Sequence, residues 1–108
     1  MKPKLQTKER DVVKVVRDYL ELNRMLYIRI HPTRPVGRQG KITFVGLPES
    51  QRGAPDFIVF HNRRTYALEC KSSEGKQTQW QMVWAQRADR EGIVYLIVRE
   101  LQDFLQRL

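Results

Sequence analysis

The sequence contains a single cysteine, Cys70, so it cannot form an internal disulfide. It also has no set of Cys and His residues at the spacing of a zinc site. Repeats, low-complexity tracts and apolar runs of membrane-spanning length are all lacking, and the Met1 end has no apolar stretch of signal-peptide length. We therefore expect a soluble, intracellular, cytoplasmic protein with no membrane partner.

Acidic residues are scarce relative to basic ones. The 108 residues include 20 Lys and Arg against 12 Asp and Glu, which gives a formal net charge of +8. An excess of this size favours an anionic partner such as nucleic acid. The length suits one compact domain over residues 1–108, large enough to bury its own core.

The pattern of apolar residues in the first half predicts a helix followed by short strands. Leu5–Leu22 has helical periodicity, and Met25–Ile30 has the composition of a strand. The stretch from His31 to Pro55 carries most of the glycine and proline, so we predict a loop there, interrupted by a weak strand at Ile42–Val45.

The second half predicts two strands, a helix, a strand and a final helix. Asp56–Phe60 and Thr65–Lys71 are separated by four polar residues that suit a hairpin turn. Thr78–Arg90 is helical, with Trp80, Val83, Trp84 and Ala88 on one face, and Ile93–Val98 is an apolar run typical of a strand covered on both sides. Together with a last amphipathic helix from Leu101, this order predicts a mixed α/β domain with helices flanking a mixed central sheet.

The predicted loop is strongly basic. A long loop of this composition is more often functional than idle, and its cations suit contacts with phosphates that supply affinity without reading bases. A solvated loop with no partner is the alternative. The candidate DNA-binding residues are Arg34, Arg38, Lys41 and Arg52. His31 lies in the same loop and suits a structural or surface role better than that of a general base.

Charged residues interrupt the end of a strand that is otherwise apolar. Side chains alternate along a strand, so Glu69 and Lys71 share one face while Cys70 points to the other. If the hairpin turn is centred between Asn62 and Arg63, Asp56 lies directly opposite Glu69. Two carboxylates so placed repel each other unless a cation lies between them.

A hard divalent cation would remove that repulsion, since Mg²⁺ is commonly held by one or two carboxylates with water and phosphate. Lys71, one strand repeat beyond Glu69, could orient an attacking water or neutralise charge on a phosphate. The alternative is structural: Asp56 caps a turn after Pro55, and Glu69 with Lys71 forms an ion pair at the strand end.

Gly53-Ala54-Pro55-Asp56, followed by Glu69-Cys70-Lys71, resembles the signature of the PD-(D/E)xK nucleases. The layout from about Glu9 to about Val98 resembles the VRR-NUC branch of that superfamily in its small stand-alone form. The resemblance implies a restriction-endonuclease-like αβββαβ core, hydrolysis of phosphodiester bonds with Mg²⁺ or Mn²⁺, and structured DNA as substrate. Similar small enzymes include homodimeric Holliday-junction resolvases that act on four-way junctions.

The resemblance also implies roles for three further groups. The family uses the backbone carbonyl between the acid and the lysine as a metal ligand, here that of Cys70, whose side chain we expect to be buried packing. It places a helical acid near the metal, and Glu9 falls on the apolar stripe of the first helix, although a first-turn glutamate is also favoured by the helix dipole. It places a glutamine beside the lysine, here Gln81, although Thr78 and Gln81 also match a capping box.

The leading hypothesis is an Mg²⁺-dependent DNA endonuclease with Asp56, Glu69, Lys71 and Gln81 as catalytic residues. The second is a basic nucleic-acid-binding domain of the same fold without catalysis. A sequence-specific restriction enzyme is less well supported, because the chain lacks the extra length that base readout usually requires. We expect Trp80 and Trp84 to serve the core or a dimer interface rather than base stacking.

Overall fold

The computed structural model describes residues 7–30, 33–38, 41–46 and 51–108, with the strand backbone alone for 33–38 and 41–46. The helices and strands in chain order are α1 Glu9–Leu22, β1 Leu26–Arg29, β2 Thr33–Arg38, β3 Lys41–Gly46, β4 Phe57–His61, β5 Arg64–Cys70, α2 Gln79–Arg90, β6 Val94–Val98 and α3 Leu101–Leu105.

Four strands form a mixed sheet in the order β1-β4-β5-β6, and β2 pairs with β3 in a separate two-stranded ribbon. β4 is antiparallel to both β1 and β5, whereas β6 runs parallel to β5 after the crossover through α2. The chain is therefore mixed α/β, as the sequence predicts. Around this sheet the element order is helix, three strands, helix, strand and helix, once the β2–β3 ribbon is set aside.

The hairpin between β4 and β5 has the predicted register. Phe60 pairs with Thr65 and Ile58 pairs with Ala67. Both turn residues, Asn62 and Arg63, have positive φ angles, at 49° and 64°. Positive φ at both central positions is the conformation that matches the twist of two-residue hairpins. The turn thus fixes which residues of β4 and β5 face each other.

The main core lies between one face of the sheet and helices α1 and α3. In α1 the residues at one helical repeat, Val12, Val16 and Leu20, are buried. Phe104 of α3 packs edge-to-face on Tyr66 of β5, with ring centroids 6.0 Å apart. Burial of these apolar side chains stabilises the sheet. The candidate site residues belong to strands of this same sheet.

Helix α2 covers only part of the opposite face. Trp84 packs against Tyr95 of β6 with ring centroids 6.1 Å apart, and Ala88 is buried. Trp80 and Val83, predicted on the same helix face as Trp84 and Ala88, are exposed, so Trp80 does not belong to the core. β6 is an edge strand, and its residues Val94, Tyr95 and Ile97 are only partly buried. Helices α2 and α3 both contact β6, so the predicted cover of this strand is present but incomplete.

Two further boundaries differ from the predictions. Thr7 and Lys8 precede α1, with Lys8 in an extended conformation, so the helix begins at Glu9 and not at Leu5, which lies outside the described residues. The predicted loop contains two strands, of which the sequence located only the second, near Ile42–Val45, and left the presence of another open. Each strand of a two-stranded ribbon leaves one edge unpaired, and such edges tolerate the proline and glycine that suggested a loop. Within the described parts of the chain, no helix is both long and apolar enough to cross a membrane.

Candidate active site

Asp56 immediately precedes β4 and is held by backbone contacts to the strands on both sides. Its N–H donates to the carbonyl of Leu68 and its carbonyl accepts from the N–H of Ile30, both at 2.9 Å. Its carboxylate oxygen Oδ2 accepts the backbone N–H of Cys70 at 2.7 Å. Asp56 therefore extends the β4–β5 ladder by one residue toward Glu69. Its side chain accepts the last hydrogen bond of that ladder, from Cys70.

Arg29 completes the surroundings of Asp56 and was not predicted as a site residue. Its Nη1 donates to the Asp56 carbonyl at 2.9 Å and lies 3.3 Å from Asp56 Oδ1. Its guanidinium carbon lies 5.0 Å from the centre of the Phe57 ring. The signal in the sequence is an arginine within an apolar strand, at a position where the alternation gives no reason for a charge.

Burial is the main influence on the pKa of Asp56, and it raises that pKa above its ordinary value. The hydrogen bond from Cys70 and the charges of Arg29 and Lys71 act in the opposite direction, because they stabilise the carboxylate. Asp56 is thus a partly desolvated acid with three groups ready to stabilise its charged form.

Glu69 is buried at the end of β5, with only 4% of its surface exposed. Its Oε1 accepts a hydrogen bond of 2.8 Å from Nε2 of Gln81 and lies 3.8 Å from Nζ of Lys71. Its Oε2 is buried and has no hydrogen-bond partner among the described residues. A buried carboxylate oxygen without a donor is costly, so this atom is a candidate ligand for a cation.

The pKa of Glu69 is raised to about 8, first by burial and next by the charge of Asp56. The charge of Glu9 raises it further, while Lys71 and Arg29 lower it. The repulsion between Asp56 and Glu69 that the hairpin register predicts is therefore present. The charges of Lys71 and Arg29 do not cancel this repulsion.

Lys71 follows β5 directly and is 7% exposed. Its N–H donates to the carbonyl of Val98 at 3.0 Å, which fixes its backbone to β6. The loop after it is held by Arg99, whose Nη1 donates to the carbonyls of Ser72 and Gly75, each at 2.7 Å. Arg99 was not predicted to support the site, because its partners lie more than twenty residues away in sequence.

Gln81 both completes the predicted capping box and contacts Glu69. Its Oε1 accepts the N–H of Thr78 at 2.8 Å while its own N–H donates to the Thr78 hydroxyl at 3.2 Å, which completes a capping box at the start of α2. The other end of the same amide, Nε2, donates to Glu69. The cap holds the side chain in the orientation in which it contacts the carboxylate.

Gly53 brings the segment before Asp56 against the start of α2. It has a φ of +81°, and a Cβ built on it would lie 2.2 Å from the carbonyl oxygen of Trp80. Only glycine permits both that conformation and that approach. The Gly-Ala-Pro sequence therefore sets the distance between the strand that carries Asp56 and the helix that carries Gln81.

Glu9 is exposed in the first turn of α1, so its place on the apolar stripe does not bury it as the stripe suggested. Its charge nevertheless acts on Glu69 and raises that pKa. The start of α1 is tied to the loop beyond Lys71 by the N–H of Ser73, which donates to the carbonyl of Thr7 at 3.2 Å. Glu9 thus lies on the same side of the molecule as the candidate site. Cys70 is fully buried in the core cluster, as predicted, and burial raises the pKa of its thiol.

The predicted DNA-binding residues fall into two groups. Arg34, Arg38 and Lys41 lie in β2 and β3, where Arg38 pairs with Lys41, but their side chains lie outside the described part of the structure, as does His31. Arg52 is described and exposed, and its guanidinium carbon lies 5.4 Å from the centre of the Trp80 ring.

The donor set fits a hard divalent cation. Two mutually repelling carboxylates, one of them with an unpartnered buried oxygen, are the oxygen ligands that Mg²⁺ and Mn²⁺ prefer. Among the described residues, no three His, Cys, Asp or Glu side chains cluster to hold a metal. A site of two carboxylates completed by a backbone carbonyl and water does not require a third.

Comparisons of the chain with protein-family models, curated proteins and solved structures found no match to any of them. The case for a function therefore depends on the geometry and chemistry of these residues.

Proposed function

We propose that this chain is a divalent-metal-dependent endonuclease that hydrolyses phosphodiester bonds in structured DNA, such as branches and four-way junctions. The observation that carries the proposal is the buried pair Glu69 and Lys71 beside Asp56, in which Glu69 Oε2 has no partner among the described residues. The restriction-endonuclease-like assignment of the fold is part of the same proposal, supported by the element order around the sheet.

A purely structural ion pair fits these observations less well. Charge-assisted hydrogen bonds between ammonium and carboxylate groups are about 2.7–2.9 Å long. The separation of Lys71 Nζ and Glu69 Oε1 is 3.8 Å. A buried pair retained for stability has its remaining oxygens satisfied, because an unsatisfied one costs more than the pair contributes. Here one oxygen is unsatisfied within the described structure, and the pKa of Glu69 remains at about 8 despite the lysine.

Asp56, Glu69 and the Cys70 carbonyl would hold Mg²⁺ or Mn²⁺, with Glu9 nearby to add negative charge or to position a water. When bound, the ion acts as a Lewis acid on the phosphate and makes water a better nucleophile at neutral pH. Gln81 holds the Glu69 carboxylate in one orientation, and Arg29 does the same for Asp56. Lys71 supplies a nearly buried cation that orients the attacking water and stabilises negative charge on the phosphate in the transition state.

The net charge of +8 supports a nucleic-acid partner, because cations that neutralise phosphates supply most of the affinity for DNA. The basic ribbon residues Arg34, Arg38 and Lys41 would contact phosphates, and Arg52 lies beside the proposed site. A homodimer is part of the proposal: Leu26 and Phe60 are paired across β1 and β4, and both are exposed, as is Ile28. A second copy covering this face would bury them.

The test is cleavage of labelled four-way junction, flap and plain duplex with Mg²⁺, Mn²⁺ or EDTA. We expect metal-dependent cleavage of the branched substrates by the unaltered protein. Lys71→Ala should bind these substrates normally but cut them about 100- to 1000-fold more slowly. Lys14→Ala removes an exposed lysine from α1 and is the matched control. Binding without cleavage under every metal condition would instead identify a non-catalytic binding domain of the same fold.

A further inference from the structure

Trp80 and Arg52 form an exposed aromatic and cationic pair at the start of α2. The guanidinium carbon of Arg52 lies 5.4 Å from the centre of the Trp80 ring, and Trp80 is 43% exposed. Gly53, next to Arg52, packs so closely on the Trp80 carbonyl that a side chain would not fit between them. The backbones that carry the two side chains are therefore held close together.

The two tryptophans of α2 have different environments. Trp84 packs on Tyr95 and is only partly exposed, which is the arrangement of a tryptophan that serves the core. Trp80 has the same indole side chain, but almost half of its surface is exposed. Burial of an aromatic side chain of this size would be strongly favourable. The exposed ring requires an explanation other than packing within this part of the chain.

The pair borders the proposed active site from two directions. Trp80 precedes Gln81, whose amide donates to Glu69 at 2.8 Å. Arg52 and Gly53 lead through Pro55 into Asp56, whose carboxylate is bonded to the N–H of Cys70. The two segments that carry the pair thus also carry Asp56 and Gln81, and Gln81 contacts Glu69.

We propose that Arg52 and Trp80 form a stacking platform for an unpaired nucleobase next to the phosphate that is cleaved. Indole faces stack on bases with little regard to sequence, and an arginine beside the ring adds both a cation for the phosphate and a planar surface. Bases within a duplex are already stacked on their neighbours, so the platform selects strands with unpaired nucleotides, as found at flaps and branches.

The assignment of the cleaved phosphate rests on the proposed endonuclease function, whereas the stacking itself is independent of catalysis. A protein surface is the competing occupant, because Val83 is exposed on the same helix. The guanidinium beside the ring and the net charge of +8 favour the anionic partner.

The chain has only two tryptophans, so Trp84→Phe makes Trp80 the only indole fluorophore. This variant is titrated in EDTA with a single-stranded oligothymidine of roughly 10 nucleotides and, separately, with a blunt duplex. We expect Trp80 fluorescence to be quenched by the single strand and much less by the duplex. Absence of quenching by the single strand at saturation, or equal quenching by both DNAs, would overturn the proposal.

Affinities of single-site variants provide a second readout. Trp80→Ala and Arg52→Ala should each raise the Kd for the single strand at least about five-fold, with duplex affinity nearly unchanged and with partial rescue by Trp80→Phe. Met82→Ala, exposed on the same helix, and Arg63→Ala, exposed in the β4–β5 turn, are the controls for lost apolar surface and lost charge. Losses as large in the controls, or equal losses for the duplex, would contradict a stacking site.

Two further outcomes separate this inference from its alternatives. A shift of Trp80 emission with protein concentration alone, together with an increase in mass, would place a second copy on the ring and overturn the proposal. Selective stacking in EDTA without cleavage on adding Mg²⁺ or Mn²⁺ would support the platform and refute the endonuclease. Metal-dependent cleavage without any change in Trp80 fluorescence would support the endonuclease and refute the platform.

Discussion

The carboxylate of Asp56 accepts the backbone N–H of Cys70 at 2.7 Å, so a side chain closes the ladder between β4 and β5. The same carboxylate raises the pKa of Glu69 through its charge. Burial is the main reason why Glu69 is difficult to ionise, and the residue that ends the strand pairing adds to that effect.

Replacing Asp56 should separate its structural role from its proposed metal role. Asp56→Asn keeps an oxygen that can accept the Cys70 N–H, so we expect its free energy of unfolding to change by less than about 1 kcal/mol. Asp56→Ala leaves that N–H without its acceptor and removes the Oδ1 contact of Arg29, so it should cost roughly 1–3 kcal/mol. Urea unfolding measures both effects.

Both Asp56 variants should lose Mn²⁺ binding, measured by isothermal titration, because neither offers a carboxylate. Asp18→Asn, which alters an exposed acid on α1, is the matched control and should bind Mn²⁺ normally. Unaltered Mn²⁺ affinity in Asp56→Asn would show that Asp56 has a structural role alone.

The stability of the metal-free protein should depend on the protonation of Glu69. Its pKa of about 8 in the folded state lies above its ordinary value of 4.5, so between these values the folded protein keeps a proton that the unfolded chain has lost. The resulting stabilisation is complete below about pH 4.5 and is lost as the pH rises through about 8. Urea unfolding from pH 5 to 9 should therefore show this decline.

Glu69→Gln cannot titrate at this position, so its stability should fall less over the same range, and the difference between the two proteins isolates Glu69. Binding of Mn²⁺ requires the carboxylate and should strengthen over the same pH interval with release of a proton. If the stabilities of the unaltered protein and of Glu69→Gln fall in parallel as the pH rises, the raised pKa of Glu69 is contradicted.

Local patterns were sufficient to predict one side of the site. The register of β4 and β5 follows from alternation and a two-residue turn, both of which involve residues close in sequence. The meeting of Asp56 and Glu69 follows from that register. The resemblance predicted Gln81 beside Lys71, and the structure bonds Gln81 to Glu69, with a capping box that orients its side chain.

The remaining parts depend on pairings between distant segments. Arg29 reaches Asp56 because β1 packs beside β4, and Arg99 holds the loop after Lys71 because β6 is parallel to β5. Hydrophobic periodicity does not specify either pairing. The sequence could not decide between a core and a surface position for Trp80 for a similar reason, because the pattern of α2 does not reveal how much of the sheet the helix covers.

Gly53→Ala should be far more disruptive than Gly92→Ala, although both glycines have positive φ. At Gly53 the added Cβ would lie 2.2 Å from backbone oxygen, whereas at Gly92 no atom lies within 4 Å. We expect a loss of about 1 kcal/mol for Gly92→Ala, from conformational strain, and roughly 3 kcal/mol or more for Gly53→Ala. Equal losses in urea unfolding would contradict the close packing of this segment on α2.

The proposed phosphate contacts of the β2–β3 ribbon can be tested through salt dependence. Affinity for a four-way junction in EDTA should fall steeply between low and moderate salt, because each phosphate contact releases a counterion. Changing Arg34, Arg38 and Lys41 together to alanine should reduce the slope of log Kd against log salt by up to about 3.

A triple change of Lys14, Arg17 and Arg24 removes the same charge from α1 and the turn after it, and is the control. If the control lowers the salt slope as much as the ribbon variant does, the effect reflects net charge and the ribbon has no special place in binding.

The last prediction concerns self-association through β1. Ile28 pairs with Ile58 across β1 and β4, beside the pair of Leu26 and Phe60, and its exposed side chain lies among theirs. An ammonium group placed there would be buried without a partner in a dimer that covers this face, so Ile28→Lys should raise the dimer dissociation constant at least about 100-fold. Sedimentation equilibrium over a range of concentrations measures the change. Leu22→Lys, at an even more exposed apolar position on α1, should leave the dimer unchanged. A monomeric unaltered protein at every concentration, or dimers equally stable in Ile28→Lys, would exclude this face as the interface.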